Sequence, residues 1–218
     1  MEQTKLEQIA EWSVGLEISG TAVKSASEAR KIHVADSLSG LEIPAIQDAK
    51  SIIDIGSGAG FPGLVLAVML PDAQITLVDS VRKKMEAAGK FARELELENV
   101  ECVWGRAEEI AAIGSPHREA YDVVTARALA QLGVLLEYAA PLLREGGHLV
   151  AWKGSPEQSE LAAADASADI LGIEPGKLTA TKPFKGSRAR HFYVAQKKGP
   201  TDERFPRRAG VALKRPLA

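Results

Sequence analysis

The chain of 218 residues is 45% hydrophobic and 26% charged with a formal net charge of −2, a balance typical of one soluble globular domain. Its single cysteine, Cys102, excludes an internal disulfide, and no apolar segment approaches the length needed to span a bilayer. The N-terminal sequence lacks the basic start and apolar centre of a signal peptide, so we expect a cytoplasmic protein.

The first part of the chain predicts two helices. Apolar residues recur at roughly helical spacing over residues 4–18, and Ser19-Gly20-Thr21 then predicts a turn. A second helix is expected to start at Ser25 or Ser27, either of which can cap its first turn, and to end near Leu41. The two helices predict a small N-terminal cap in front of the strands that follow.

Residues 51–64 predict a strand, a glycine turn and the start of a helix. The segment from Ser51 to Ile55 is mostly β-branched and apolar, which is typical of a strand covered on both faces. Glycines then interrupt the pattern, and an apolar run resumes behind Pro62, a residue favoured in a first helical turn. In this layout backbone amides and a helix N-terminus face a ligand, so we expect a nucleoside-type cofactor here.

Beyond residue 70, apolar strands continue to alternate with helices. The strands are expected at residues 74–79, 100–104, 121–126, 148–153, 171–180 and 190–196, and the helices at residues 81–96, 130–143 and 157–170. Such alternation predicts an α/β fold, with a parallel sheet and helices on both of its faces. Ligands of these sheets bind at the carboxyl ends of the strands, where Gly56, Asp79, Glu108, Arg127 and Lys153 are expected.

The spacing of the glycines bears on the identity of the cofactor. Gly56-x-Gly58-x-Gly60 fits the dinucleotide fingerprint poorly, although Gly58-x-Gly60-x-x-Gly63 matches it and leaves a dehydrogenase open. That second alignment puts Pro62, which has no N–H, where amides would face a phosphate. A cofactor without phosphate, pressed against glycine backbone, fits better, and S-adenosylmethionine is such a molecule.

Asp79 ends the second predicted strand, where its carboxylate is placed to accept hydrogen bonds from two ribose hydroxyls. The alternative is a cap for the helix over residues 81–96, a role that Ser80 would fill equally well. After the third strand, Ala107 and Glu108 are candidates to flank an adenine, and a surface position for Glu108 is the alternative.

Charge is distributed unevenly along the chain. Residues 182–218 contain eleven Lys and Arg against Asp202 and Glu203, a net of +9, which leaves 16 basic and 27 acidic residues, a net of −11, elsewhere. A basic C-terminal region on an acidic body predicts a polyanionic partner. On charge alone, a solvated and partly disordered terminus explains the pattern equally well.

Together these motifs resemble the small-subunit ribosomal RNA guanine-N7 methyltransferases, also called the glucose-inhibited division protein B family. The most specific segment is Asp54-Ile55-Gly56-Ser57-Gly58-Ala59-Gly60-Phe61-Pro62-Gly63. Further matches extend over nearly the whole chain: His33-x-x-Asp36-Ser37, Leu77-Val78-Asp79-Ser80, Gly105-Arg106-Ala107-Glu108-Glu109, Thr125-Ala126-Arg127-Ala128, Lys153-Gly154, Arg190-His191 and Phe205-Pro206-Arg207-Arg208-Ala209-Gly210. Ile18-Ser19-Gly20-Thr21 departs from the family, which usually has an Asn-Leu-Thr-like turn there.

The resemblance implies a Rossmann-like S-adenosylmethionine-dependent methyltransferase fold and methyl transfer to N7 of one guanine in 16S ribosomal RNA. Together with Gly58 of the turn, it implies a set of cofactor-binding residues. They are Gly56, Gly58, Phe61, Asp79, Ala107, Glu108 and Arg127. Guanine N7 carries a lone pair and no hydrogen, so this transfer needs alignment and exclusion of water rather than a general base. We therefore predict no catalytic acid–base pair.

Five basic residues are predicted to contact the RNA backbone, supported as a group by the charge of the C-terminal region. They are Lys153, Arg188, Arg190, Arg207 and Arg208. Arg127 is open between a cofactor carboxylate and an RNA phosphate, and the resemblance favours the cofactor. His33 and Asp36, three residues apart on a helix, predict a structural hydrogen bond or charge pair with each other. Four scattered histidines and one cysteine are not a ligand set, so no metal is expected.

We expect three parts, a helical cap (1–48), a methyltransferase domain (49–198) and a basic tail (199–218), in a monomer that acts on 16S ribosomal RNA or the small ribosomal subunit and not on a membrane. Two other functions stay open. A small-molecule methyltransferase would give the basic tail no role. A non-catalytic RNA-binding or assembly protein would not need an intact glycine turn and Asp79.

Overall fold

A seven-stranded sheet with helices on both faces forms the centre of the computed structural model, which describes residues 1–15, 23 and 25–218. The strands are β1 (Ser51–Ile55), β2 (Gln74–Asp79), β3 (Val100–Trp104), β4 (Tyr121–Arg127), β5 (Leu143–Lys153), β6 (Lys177–Thr181) and β7 (Arg190–Gln196). The helices are α1 (Glu2–Gly15), α2 (Ala26–Ala29), α3 (Asp36–Leu38), α4 (Pro44–Gln47), α5 (Gly63–Met69), α6 (Arg82–Glu94), α7 (Ala107–Ile110), α8 (Leu132–Ala139), α9 (Gln158–Leu171) and α10 (Val211–Lys214).

The second predicted helix is built from several short pieces. A π-helical segment, Arg30–Ala35, joins α2 to α3, and a 3-10 segment, Ser39–Glu42, leads on towards α4. The predicted cap is confirmed, because the Ser25 hydroxyl accepts a hydrogen bond of 3.2 Å from the N–H of Glu28. The turn expected at residues 19–21 lies outside the described residues.

The strand order in the sheet is β3-β2-β1-β4-β5-β7-β6. The strands β1 to β5 are parallel, as predicted, whereas β7 runs antiparallel to both β5 and β6. Residues 182–189, which connect β6 to β7, are too few for the crossover that parallel strands require. Because Lys153 pairs with His191, this connecting loop lies at the same edge of the sheet as the end of β5.

Two apolar cores lie on the two faces of the sheet. Along β1 the side chains alternate, so that Ile52 enters one core while Ile53 and Ile55 enter the other. The N-terminal cap belongs to the first core, where Trp12 of α1 stacks on Phe91 of α6 with ring centroids 4.4 Å apart. None of the helices among the described residues is long and apolar enough to cross a membrane.

The C-terminal region packs onto the second core rather than projecting into solvent. Phe205 and Ala212 are buried there. The ammonium group of Lys197, which is fully buried, donates to Glu119 Oε1 at 2.6 Å and to Thr201 Oγ1 at 2.7 Å. These bonds tie the start of the tail to the end of the sheet.

Candidate active site

The glycine turn adopts backbone conformations that favour glycine. Gly56 and Gly58 have φ values of +65° and +58°, a region that residues with a Cβ rarely adopt. The N–H of Gly63 donates to the buried Asp54 Oδ2 at 3.0 Å, which fixes the start of α5 beneath the turn. The turn therefore presents backbone rather than side chains to the carboxyl edge of the sheet.

Asp79 lies beside this turn, as predicted. Its Oδ2 accepts from the N–H of Gly58 at 3.0 Å, and its Oδ1 accepts from the N–H of Val81 at 2.8 Å. The bond to Val81 is the helix-capping contact that the sequence left as an alternative, whereas the bond to Gly58 links the ends of β1 and β2. Asp79 therefore caps α6 and also binds the backbone of the glycine turn.

Glu108 lies near Asp79 because the N–H of Gly105 donates to the Asp79 carbonyl at 3.2 Å. The Glu108 side chain is buried and accepts from the N–H of Gly210 in the tail at 2.8 Å. Burial raises the pKa of Tyr138 in α8 to about 12, and the negative charge of Glu108 contributes to the same shift. The alternative of a surface-exposed Glu108 is therefore wrong, since the tail and α8 cover it.

A cleft of about 420 Å³ opens beside the glycine turn. Its walls come from the turn, the ends of β4 and β5, the cap and the start of β7. They are formed by Ile32, His33, Asp36, Gly56, Ser57, Gly58, Ala59, Phe61, Arg127, Ala128, Ala130, Leu135, Trp152, Lys153, Gly154 and Arg190. The cleft thus brings together four of the predicted cofactor residues and two of the predicted RNA residues, while Asp79, Ala107 and Glu108 are not part of its lining.

Arg127 organises the wall of the cleft opposite the turn. Its Nη1 donates to Asp36 Oδ2 at 3.2 Å, its Nη2 lies 3.3 Å from His33 Nδ1, and its guanidinium covers the Phe61 ring at 5.2 Å. Burial lowers the pKa of Arg127, and the charge of Asp36 opposes that shift. The expected pairing of His33 with Asp36 is wrong. Each residue contacts Arg127 instead, and the described residues include no bond between the two.

Trp152 and Ala128 are site residues that sequence reasoning missed. The indole Nε1 of Trp152 donates to the Asp36 carbonyl at 2.8 Å and so fastens the cap to β5. Ala128 has a φ of +54°, an uncommon conformation for a residue with a Cβ that often marks a functional site. Its position after Arg127 in a quoted family segment was the available signal, whereas nothing local pointed to Trp152.

Asp54 lies buried beneath the turn. Its Oδ1 accepts from the Thr125 hydroxyl at 3.0 Å. Burial raises the pKa of Asp54 to about 7, against the hydrogen bonds from Gly63 and Thr125 and the charge of Arg127, which lower it. The carboxyl group therefore titrates near neutral pH in the folded protein.

Three of the five predicted RNA residues are engaged within the protein. Lys153 pairs with Glu160 at 2.6 Å, Arg190 Nε lies 3.3 Å from Asp36 Oδ1, and Arg207 forms two bonds with Glu137, of 2.7 and 2.5 Å. The Glu137 side chain is only 1% exposed and that of Arg207 is 25% exposed, so the arginine neutralises a buried carboxylate at the edge of the core.

The other two predicted RNA residues, Arg188 and Arg208, are exposed and have no ion pair among the described residues. Two further basic residues of the β6–β7 loop share this condition. They are Lys182 and Lys185. Among the described residues, unpaired positive charge therefore lies in this loop and in the tail, where Lys214 and Arg215 are also exposed and have no ion pair.

Burial shifts the pKa values of Cys102 and His148, two candidate reactive residues outside the cleft. Burial raises the pKa of the Cys102 thiol to about 11, so the thiol stays protonated at neutral pH. Burial also lowers the pKa of His148, which lies half-buried in β5. Within the described ranges, His, Cys, Asp and Glu side chains form no group of three or more that would hold a metal ion.

A family model described as rRNA small subunit methyltransferase G matches residues 5–192 of the chain. The chain belongs to this family. As a member it is a methyltransferase that uses S-adenosylmethionine, so the predicted family, enzyme class and cofactor are confirmed.

Relatives match over most of their length. The ribosomal RNA small subunit methyltransferase G of Moorella thermoacetica is 40% identical over 200 residues, which cover 90% of this chain and 82% of that protein. The protein of the same name from Symbiobacterium thermophilum is 37% identical over 220 residues, covering 97% and 87%.

Among solved structures, the O-methyltransferase TomG of Streptomyces achromogenes, in complex with S-adenosylmethionine, has a TM-score of 0.59 and 20% identity, and the match covers 89% of this chain and 90% of that one. This likeness confirms the predicted fold class, a Rossmann-like methyltransferase sheet.

Proposed function

We propose that this protein transfers the methyl group of S-adenosylmethionine to N7 of a guanine in 16S ribosomal RNA. The observation that carries the proposal is a family match spanning residues 5–192, which include both the glycine turn and the cap residues across the cleft from it. The target nucleoside and atom come from the family resemblance of the sequence.

The residues around the turn fit the cofactor. A Cβ built on Gly58 would meet only the Gly56 carbonyl, at 3.9 Å, so that side of the turn is open to a ligand. The Asp79 carboxylate retains lone pairs for two ribose hydroxyls beyond the two amides that it already binds. We therefore assign Gly56, Gly58, Phe61 and Asp79 to the cofactor.

Three further residues complete the proposed cofactor site. Ala107 and the buried Glu108 lie next to Asp79 at the end of β3, where an adenine would continue from the ribose. Arg127 binds Asp36 and His33 through two of its five N–H groups, which leaves others to meet the cofactor carboxylate. The family resemblance of the sequence favours the cofactor over an RNA phosphate as the partner of Arg127.

The chemistry asks for alignment rather than proton transfer. Bound S-adenosylmethionine supplies an electrophilic methyl group on a sulfonium. Guanine N7 has no proton to lose, so the transfer needs no base, and burial lowers the pKa of His33 in the cleft to about 4 while its Nδ1 faces Arg127. The protein holds the base in line and excludes water, and the nearby Asp36 carboxylate stabilises positive charge that develops on the ring.

We place the RNA backbone on both sides of the cleft. Arg188, with Lys182 and Lys185, lies in the loop beside the end of β5, and Arg208 lies in the tail near Glu108 at the end of β3. Lys153 and Arg190 line the cleft itself and would reach a phosphate by exchanging their carboxylate partners. Arg207 is left out of the RNA surface because its charge is already neutralised by Glu137.

The function is tested by mapping N7-methylguanine in 16S ribosomal RNA from a strain that lacks the protein. We expect one modified guanine to disappear and to return when the purified protein and labelled S-adenosylmethionine are added to naked 16S RNA or to small subunits. An unchanged pattern of N7-methylguanine in that strain contradicts the proposal. The Gly56→Val variant is the inactive control.

We also propose that the protein acts in the cytoplasm and as a monomer. The substrate supports the first point, because small ribosomal subunits are cytoplasmic in bacteria. The chain's own cap and tail cover the two faces of the sheet, which supports the second. Sedimentation at micromolar concentration tests the monomer, and a dimeric mass overturns it.

A further inference from the structure

Two buried side-chain atoms of the cleft wall have no hydrogen-bond partner among the described residues. They are His33 Nε2 and Asp36 Oδ1. His33 is 7% exposed and Asp36 is 4% exposed, and both residues line the cleft. Buried polar atoms are nearly always paired in native proteins, so these two atoms are available to hydrogen-bond a group that enters the cleft.

The surroundings decide which of the two atoms donates. An arginine side chain only donates, so His33 Nδ1, at 3.3 Å from Arg127 Nη2, is an acceptor. The neutral ring then carries its hydrogen on Nε2. Asp36 Oδ2 is engaged by Arg127 Nη1, and Oδ1 is left as an acceptor. The cleft wall thus offers one unpaired donor and one unpaired acceptor, three residues apart in sequence.

Arg190 lies over Asp36 Oδ1, but its contact with that oxygen can be replaced by a ligand. Its Nε lies 3.3 Å from Asp36 Oδ1, close enough for an ion pair, but the atoms do not align for a hydrogen bond. The Arg190 side chain is 33% exposed, so it can turn towards solvent or a phosphate without unpacking a core. Its departure uncovers Asp36 Oδ1 to a ligand in the cleft.

We propose that His33 and Asp36 recognise the Watson–Crick edge of the target guanine, an inference that rests on the proposed function. The Nε2–H of His33 donates to guanine O6, and Asp36 Oδ1 accepts from N1–H and the 2-amino group. Enzymes that act on a flipped base commonly read this edge. N7 lies on a different edge of the base, which leaves it free to face the methyl donor at the glycine turn.

The same pair discriminates against adenine. In an adenine held the same way, the 6-amino group meets the Nε2–H donor and the N1 lone pair meets the Asp36 carboxylate. Both contacts are then mismatched, and buried mismatches of this kind reject a wrong substrate strongly. The two residues are therefore specificity-determining residues for a guanine.

The test uses the full-length protein and RNA fragments that carry guanine or inosine at the mapped position. Inosine lacks only the 2-amino group. The wild-type protein is expected to prefer guanine by about tenfold in kcat/KM. In Asp36→Asn the amide oxygen stays with Arg127 and the NH₂ faces the base, so activity on guanine falls about 100-fold and the preference over inosine disappears. His33→Phe keeps the ring against Phe61, removes the donor, and lowers activity on both fragments by about tenfold.

The matched control is Arg30→Gln, which removes an exposed ion pair with Glu7 from the same helical segment and leaves both substrates unaffected. Affinity for S-adenosylmethionine, measured by calorimetry, is expected to stay within about twofold in every variant. An equal loss on guanine and inosine in Asp36→Asn assigns a merely structural role and overturns the inference, as does a large loss of cofactor affinity. If the wild-type protein methylates neither fragment at N7, the proposed function itself fails.

Discussion

The two sides of the site differ in how completely they satisfy their own polar groups. On the side of the glycine turn, where we propose the cofactor, the amides of Gly58 and Gly63 bind Asp79 and Asp54, residues 21 and 9 positions away in sequence. On the cleft side, Asp36 pairs with Arg127, 91 positions away, and two polar atoms of that wall stay unpaired. The polar groups of the first side are satisfied within the chain, whereas the two unpaired atoms of the second are those that we propose bind a guanine.

This difference indicates where each ligand gains its affinity. A turn whose conformation is fixed by internal hydrogen bonds loses little conformational freedom when a ligand binds. The opposite wall has to exchange an Arg190–Asp36 contact before a base can enter. We therefore expect cofactor binding to depend on local geometry and RNA binding to depend on charges that can be redistributed.

The largest effect is expected from breaking the preformed side with Gly56→Val. A valine at a φ of +65° is strained, and its Cβ would lie 2.6 Å from Leu129 Cδ1. We expect affinity for S-adenosylmethionine, measured by calorimetry, to fall by about 1000-fold or more, which corresponds to about 4 kcal/mol. Gly114→Val has a similar φ of +81° but open space around it, so it imposes the strain without touching the site. Equal losses in the two variants would contradict the role of the turn.

Arg207 and Arg208 provide the next test, since they are neighbours with opposite expected roles. Arg207→Gln leaves Glu137 buried without its partner, so we expect the free energy of unfolding to fall by about 3–4 kcal/mol. Arg208→Gln removes an exposed charge and is expected to leave stability unchanged while reducing the salt dependence of RNA binding. Urea denaturation and filter binding distinguish them, and the reverse outcome would return Arg207 to the RNA surface.

Asp54 allows a pH test of the preformed side. Burial raises its pKa from 3.8 to about 7, so between these values the folded protein keeps a proton that the unfolded chain has released. Stability therefore declines as the pH rises through this window, on the order of 3–4 kcal/mol. Asp54→Asn is expected to remove this contribution in urea denaturation at pH 4.5 and 7.5, whereas Asp72→Asn, in an exposed turn, keeps it. A wild-type slope in Asp54→Asn would contradict the buried titration.

The smallest effect is expected on the RNA side of the cleft, where contacts can be exchanged. The test is the combined substitution of Lys182, Lys185 and Arg188 by alanine. These three exposed charges lie beside the cleft, so we expect RNA affinity to fall about tenfold near physiological salt. The slope of log affinity against log salt is expected to fall by about 2, because each lost phosphate contact removes roughly 0.7–0.9. Cofactor affinity should stay unchanged.

The control for that variant removes three exposed lysines elsewhere, Lys50, Lys83 and Lys90. It changes the net charge by the same amount but lies away from the lining of the cleft. If both variants lose the same RNA affinity, the effect is one of overall charge and the loop has no special place in the interface.

The sequence predicted the preformed side well because its determinants are local. The β-branched strand, the glycines and Pro62 specify the turn within a few residues, and Asp79 follows at the end of the next strand. Parallel pairing of adjacent strands then brings Gly58 and Asp79 together without further information.

The contacts of the opposite wall of the cleft could not be predicted in the same way. The contacts of Asp36 with Arg127 and Arg190 depend on where the cap folds back over the sheet, which no local pattern encodes. Arg207 and Arg208 look alike in the sequence, and only the packing of the tail against α8 separates them. The antiparallel end of the sheet likewise follows from the length of one loop.

The place of β7 in the sheet has a consequence for biosynthesis. A chain made from its N-terminus completes β1 to β5, the glycine turn and Asp79 before residues 190–196 exist. The nascent protein therefore carries the whole proposed cofactor turn while the Arg190 side of the cleft and the cover over Glu108 are still missing. The exposed basic residues of the β6–β7 loop and of the tail are thus the last parts of the proposed RNA surface to be synthesised.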